Sequence, residues 1–271
     1  MDQTQYRRPK TLAEARAAFG ASENASFLSG GHTLLPAMKL RLTSPSDLID
    51  LGAIPELRGI SVSGRTLSVG AATVHADVAE SQAVRTNIPA LAGLAGSIGD
   101  RHVRHRGTIG GSISNNDPAA DYPAGALGLG AAIVTDRRRI LADDYFVGLY
   151  QTTREPDEIV TRIEFPLPDI ASYAKFLSPA SRFSIAGVFI ARTGGEIRVA
   201  VTGAGSGGVF RASDLEAALA KDFHPRALDR CEIDPGMMMG DQNGTPEYRA
   251  NLVMVMARRA MENLGTISVF K

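Results

Sequence analysis

Arg106-Gly107-Thr108-Ile109-Gly110-Gly111-Ser112-Ile113-Ser114-Asn115-Asn116-Asp117-Pro118-Ala119-Ala120-Asp121-Tyr122-Pro123 is the stretch on which the reading of this chain turns. Two glycines follow apolar Ile109, behind an approach rich in arginine. A second pair lies far upstream, in Phe27-Leu28-Ser29-Gly30-Gly31-His32-Thr33. Glycine has no Cβ, so its backbone N–H can close on a charged ligand without a steric wall. Consecutive N–H groups that converge form an anion-binding nest. Two such loops suggest one ligand with adjacent phosphates, a pyrophosphate. Each pair alone is equally a simple turn between strands.

Bulk properties narrow the field. At 271 residues the chain can form one large or two modest domains with a real core. It carries 29 basic and 29 acidic residues, so no whole-protein field points to nucleic acid or an anionic membrane. One cysteine, Cys231, excludes an internal disulfide and an iron–sulfur cluster held by this chain alone. Residues 1–8 lack the apolar run of a signal peptide, and the apolar stretch 124–134 is too short to span a bilayer. The expected compartment is the cytoplasm.

In chain order, Thr11 to Glu14 reads as a capping box opening a helix through Phe19. Phe27-Leu28 is a short strand, and Thr33 to Lys39 turns helical, with Pro36 in its first turn. A phosphate at that helix start would meet free N–H groups and the positive end of the dipole. Asp47 to Leu51 is a strand, and Pro55 to Gly59 closes this small βαβ-like unit. Residues 60–62 and 65–69 form a hairpin across Ser63-Gly64. Thr73 is expected to cap a helix through Ala79, and 89–98 has helical spacing. After the glycine-rich loop come a strand pair, 131–134 with 139–141, and an alternating strand, 159–165. Strands at 173–177, 183–191 and 196–202 follow, the last two joined by Gly194-Gly195. Ser213 is expected to cap a helix, and Thr245-Pro246-Glu247 opens the last one, with Tyr248, Leu252, Met256 and Ala260 on one face. The tail reads as a sheet with helices on one side, and the fold class as α+β.

Some motifs invite other readings. Gly203-Ala204-Gly205-Ser206-Gly207-Gly208 satisfies G-x-G-x-x-G, but no apolar strand leads into Asp222 and Ser213 stands well after the glycines, so it reads as a strand–helix loop. His102 and His105 stand among Arg101, Arg104 and Arg106, which would repel a metal ion. That cluster suits a phosphate, a protein interface or a solvated face. Asp117 and Asp121 read as short acids accepting backbone or ligand bonds rather than as an acid/base pair. No catalytic side chain and no metal site is apparent.

Three segments then carry a resemblance: 29–39, 103–111 and 117–123 resemble the FAD-binding medium subunit of the molybdenum hydroxylases, the xanthine dehydrogenase and carbon monoxide dehydrogenase family. The resemblance implies a two-part, PCMH-type FAD-binding domain, 1–56 and 57–171, followed by a C-terminal domain, 172–271, of a small antiparallel sheet with helices. By position it implies FAD contacts at Ser29, Gly30, Gly31, His32 and Thr33, at Thr108, Ile109, Gly110, Gly111 and Ser112, and at Ile98, Asp121 and Val160. Lys175 resembles the family lysine near the isoalloxazine, although the arginine that usually follows closely stands later, at Arg182. Gly110→Val is accordingly expected to abolish FAD binding with the fold retained. The family's fold and chemistry imply an oxidoreductase subunit that passes electrons from iron–sulfur clusters through FAD to an external acceptor. The partners implied are a small iron–sulfur subunit and a large molybdenum-cofactor subunit, arranged as a dimer of heterotrimers, without nucleic acid or membrane insertion. Two alternatives stay open: a stand-alone flavin oxidoreductase of the same superfamily, and a non-redox module binding a phosphate ligand.

Overall fold

Local signals build the first unit. In a computed structural model, which describes residues 4–270, β1 (Gln5–Arg7), α1 (Leu12–Gly20), β2 (Ala25–Leu28), α2 (Leu34–Lys39) and β3 (Asp47–Asp50) form a parallel sheet of order β1-β3-β2. The Thr11 hydroxyl caps α1 by accepting the Glu14 N–H at 3.1 Å. The Glu14 carboxylate reaches back one residue further than a capping box requires, to the Lys10 N–H. Ala15, Ile49, Leu51, Ile54 and Leu57 make this unit's small core.

The second unit holds β4 (Ile60–Ser63), β5 (Thr66–Gly70), α3 (His75–Glu80), α4 (Gln82–Asn87), α5 (Pro89–Gly96), α6 (Arg101–Arg104), α7 (Ile109–Asn115) and α8 (Asp121–Gly128). It continues with β6 (Ala132–Thr135), β7 (Arg139–Leu141), α9 (Ala142–Tyr145), β8 (Phe146–Gly148), β9 (Gln151–Thr152) and β10 (Val160–Pro166). Its antiparallel sheet has the order β4-β5-β10-β6-β7. Here the structure departs from the sequence reading. Thr73 does not cap α3: the helix starts at His75 after Val74, with no side-chain cap. The glycine-rich segment is not a loop but two helices, α7 and α8, and Gly110 and Gly111 lie in the first turn of α7.

The third unit comprises β11 (Ile170–Leu177), β12 (Ser184–Thr193), β13 (Glu196–Thr202), β14 (Phe210–Arg211), α10 (Ser213–Lys221), α11 (Pro246–Glu262) and β15 (Ile267–Phe270), with sheet order β14-β13-β12-β11-β15. The sheet is antiparallel except for β15, which runs parallel to β11 and which the sequence reading missed. Ser213 is the first residue of α10 rather than its cap. Thr245 does cap α11, through the Tyr248 N–H, while the Tyr248 side chain itself is exposed. Residues 203–208 are a loop, but not the expected strand–helix connection: they join β13 to its antiparallel partner β14, and α10 follows only after that strand.

This sheet is covered on both faces, not one. Side chains alternate along a strand, and Ala174, Val188, Ile190 and Val199 pack with α10 and α11. Ala171, Tyr173, Phe189, Ala191 and Ala200 join the core of α5 and α8 instead. The period of two therefore turns Tyr173 and Lys175 toward the glycine-rich helices.

Candidate cofactor site

The two glycine pairs meet. Ser29 Oγ and Thr108 Oγ1 are hydrogen-bonded at 2.8 Å across 79 residues of sequence. A Cβ on Gly30 would stand 2.3 Å from the Arg106 carbonyl oxygen and 2.7 Å from Gly107 Cα, so the two backbones touch where no side chain fits. Gly31, at φ +75°, turns the chain out of β2 in a region that L side chains rarely adopt. Both segments line one cleft of about 700 Å³. One wall is apolar, with Phe19, Phe27, Leu51 and Leu57; another has Ile98, Val103 and the 181–183 segment.

The pairs differ in what their N–H groups can do. In the first turn of α7 the N–H of Ile109 donates to Thr73 O, that of Gly110 to Ala71 O, and that of Gly111 to Thr108 Oγ1. None is left for an anion, so the second pair is not a nest. By contrast, the N–H groups of Gly30, Gly31, His32 and Thr33 donate to no acceptor among the described residues. These four stand together at the tip of β2, where α2 begins. Gly30 and Gly31 are half-buried and His32 and Thr33 exposed, so these N–H groups are open to a ligand in the cleft that the four residues line.

Of the residues the sequence singles out, Ser29, Gly30, Gly31, His32, Thr33, Ile98, Thr108, Gly110, Gly111, Ser112, Asp121 and Val160 all line the cleft. Ile109 and Lys175 do not; both are fully buried in the core behind it. The cleft also takes in Arg182, the displaced arginine of the family pattern, and His75, Arg154, Glu158 and Phe183, which no motif marks.

Asp121, in the first turn of α8, is nearly fully buried. Its Oδ1 accepts from the Tyr173 hydroxyl and from Ser184 Oγ at 2.8 Å; its Oδ2 accepts from Lys175 Nζ at 2.8 Å. Burial, and then the Asp121 charge, push the Tyr173 hydroxyl well above its ordinary range, so it remains a donor. His75 is held neutral: burial pushes its imidazole down to about 3, aided by His32 and Arg104, and its Nδ1 has no partner among the described residues.

Glu158 shows the opposite shift. The Arg138 guanidinium holds its carboxyl down to about 2 against the cost of burial, helped by the Thr135 hydroxyl and the Glu155 N–H. A carboxyl whose pKa is depressed in the folded state stabilises the fold above its ordinary pKa of 4.5, and that contribution is lost as pH falls toward 2. Glu158→Gln is therefore expected to lower the unfolding free energy by on the order of 2–3 kcal/mol at pH 7. Chemical denaturation of parent and variant should find this gap closing between about pH 4.5 and 2; a gap independent of pH would place the effect elsewhere.

The chain is similar to known proteins over almost its whole length. Residues 2–168 match the FAD binding domain in molybdopterin dehydrogenase. The chain is 34% identical to the carbon monoxide dehydrogenase medium chain of Hydrogenophaga pseudoflava, covering 95% of each, and 32% identical to the nicotine 6-hydroxylase medium subunit of Paenarthrobacter nicotinovorans, covering 96% of each. Its fold superposes on a solved Hydrogenophaga pseudoflava carbon monoxide dehydrogenase with a TM-score of 0.87, at 35% identity and 96% of both chains. With its matched domain spanning more than half its length and its likeness to these subunits running almost end to end, the chain belongs to the family of FAD-binding domains of molybdopterin dehydrogenases.

Proposed function

We propose that this chain is the FAD-carrying electron-transfer subunit of a molybdenum-containing hydroxylase or dehydrogenase. The observation that carries the reading is the junction of the two glycine pairs over a single cleft, with four adjacent N–H groups free on one side of it. Those N–H groups, at the start of α2, suit the pyrophosphate, and the Ser29 and Thr108 hydroxyls lie beside them. The wall of Phe19, Phe27, Leu51 and Leu57 suits a flat ring. Asp121 suits a ribityl or ribose hydroxyl, and Ile98 and Val160 apolar contact. Ile109 and Lys175 take supporting places: Ile109 anchors α7 in the core, and Lys175 acts through Asp121. When bound, FAD supplies reversible uptake and release of electrons, which this chain's residues do not.

The rest of the assembly follows from what this chain lacks and what its relatives are called. Its single cysteine cannot supply the roughly four thiolates of an iron–sulfur cluster. Relatives of nearly the same length are named medium chains and medium subunits. A small iron–sulfur chain and a large molybdenum-cofactor chain are accordingly its partners, in a dimer of three-chain units, with electrons leaving to an external acceptor. Substrate oxidation takes place on the large chain.

Titration of the purified chain with FAD tests the site. Near-stoichiometric binding with flavin absorption bands is expected, and ADP, which carries the same diphosphate, should compete. Failure to bind added FAD would refute the reading. Co-purification from the native source, with metal analysis, tests the partners. Flavin removal from that complex should abolish turnover with the physiological acceptor while sparing an artificial dye.

A further inference from the structure

Asp121 belongs to the segment that matches the family domain, yet each of its side-chain hydrogen bonds comes from beyond residue 168. Tyr173 and Lys175 are successive inward residues of β11, and Ser184 is the first residue of β12. Their neighbours on this face of the sheet, Ala171, Phe189 and Ala191, are apolar. Packing alone would be met by phenylalanine at 173 and alanine at 184, and burying hydroxyls costs free energy unless they are bonded. The backbone is also adapted to the hydroxyl. Gly187 is the β12 partner of Lys175, and a Cβ there would lie 2.4 Å from Tyr173 Oη.

The bonding leaves a definite remainder. A carboxylate offers about four acceptor positions. Tyr173 and Ser184 occupy both on Oδ1, and Lys175 occupies one on Oδ2. We propose that Tyr173 and Ser184 are positioning residues: together with Lys175 they fix the Asp121 carboxylate so that one acceptor position on Oδ2 is kept for a hydroxyl or N–H of the bound dinucleotide. The C-terminal sheet, outside the matched domain, thereby completes the cofactor site. The same arrangement neutralises the carboxylate charge beside the cofactor. This rests on the FAD reading given above.

Full-length Tyr173→Phe and Ser184→Ala test it. Both should fold, with melting temperatures lowered by a few degrees, because each removes one buried donor while keeping its shape. Each should weaken FAD binding about fivefold, the worth of one hydrogen bond. The flavin midpoint potential should also become more negative, since Asp121 keeps its charge with fewer donors around it. Ser184→Thr, which retains the hydroxyl, should bind FAD as the parent does. If Tyr173→Phe and Ser184→Ala melt lower but bind FAD within twofold of the parent, the cluster is a packing staple and the inference is overturned. A parent chain that binds no FAD overturns the underlying reading instead.

Discussion

Lys175→Met is expected to lower the free energy of unfolding by about 3–5 kcal/mol, the cost of stranding one member of a buried ion pair. Lys175 Nζ lies 2.8 Å from Asp121 Oδ2, with side-chain exposures of 0% and 4%. Methionine preserves most of the stem's volume, so the loss is electrostatic rather than a cavity. What remains is a carboxylate in the core of β11, β12 and α8 with two neutral hydroxyl donors and no counter-charge. The double variant Asp121→Asn/Lys175→Met removes both charges and should recover most of the loss, since replacing a whole buried pair is often nearly neutral. Urea unfolding of the two single variants and the double one gives the coupling energy. A loss under about 1 kcal/mol for Lys175→Met would mean that water reaches the pair, against its burial. The double variant has a second use. It should regain stability without regaining FAD, because amide and thioether no longer present the fixed carboxylate.

Gly110→Val is expected to prevent stable folding rather than to spare the fold and release the cofactor. A Cβ on Gly110 would lie 2.5 Å from Ala71 Cβ and 2.7 Å from the Ala71 carbonyl oxygen, which also accepts the Gly110 N–H at 2.9 Å. The start of α7 is pressed onto the backbone that leaves β5, and backbone cannot turn aside as a flexible side chain can. Overpacking usually costs 1–3 kcal/mol, and valine adds two branches to a Cβ that already has no room, so about 3 kcal/mol or more is expected. Soluble yield and circular dichroism should show it at once; a well-folded Gly110→Val chain would contradict the packing. Gly111→Ala is the better probe of the site. Its Cβ would meet Thr108 Oγ1 at 2.9 Å and Ser29 Cβ at 3.9 Å, side-chain atoms at the junction of the two segments. It should cost only about 1 kcal/mol of stability while disturbing the Ser29–Thr108 contact.

What the sequence by itself determined is local. Thr11 and Thr245 mark helix starts because a cap needs only the next three residues. The hairpins at 63–66 and 193–196 follow from glycine turns between alternating strands. The two glycine pairs stood out because their residue types are unusual in any element, and their order along the chain matched a known family. Tertiary structure decided the rest. The sequence reads Gly30 and Gly110 alike, yet one is glycine to touch the Arg106 backbone and the other to touch Ala71. The N–H groups of α7 are spent on Thr73 and Ala71, while those of residues 30–33 stay free. Both facts depend on segments far away in the chain, which no local pattern encodes. The same holds for β15, whose parallel partner β11 lies almost a hundred residues earlier. It holds too for Lys175, which alternation places on an inward face but which only the packing of α8 across β12 and β13 of the same sheet brings to Asp121. Periodicity states which side chains go inside; which of them meet, and what each backbone group has left to offer a ligand, is settled when distant segments close on one another.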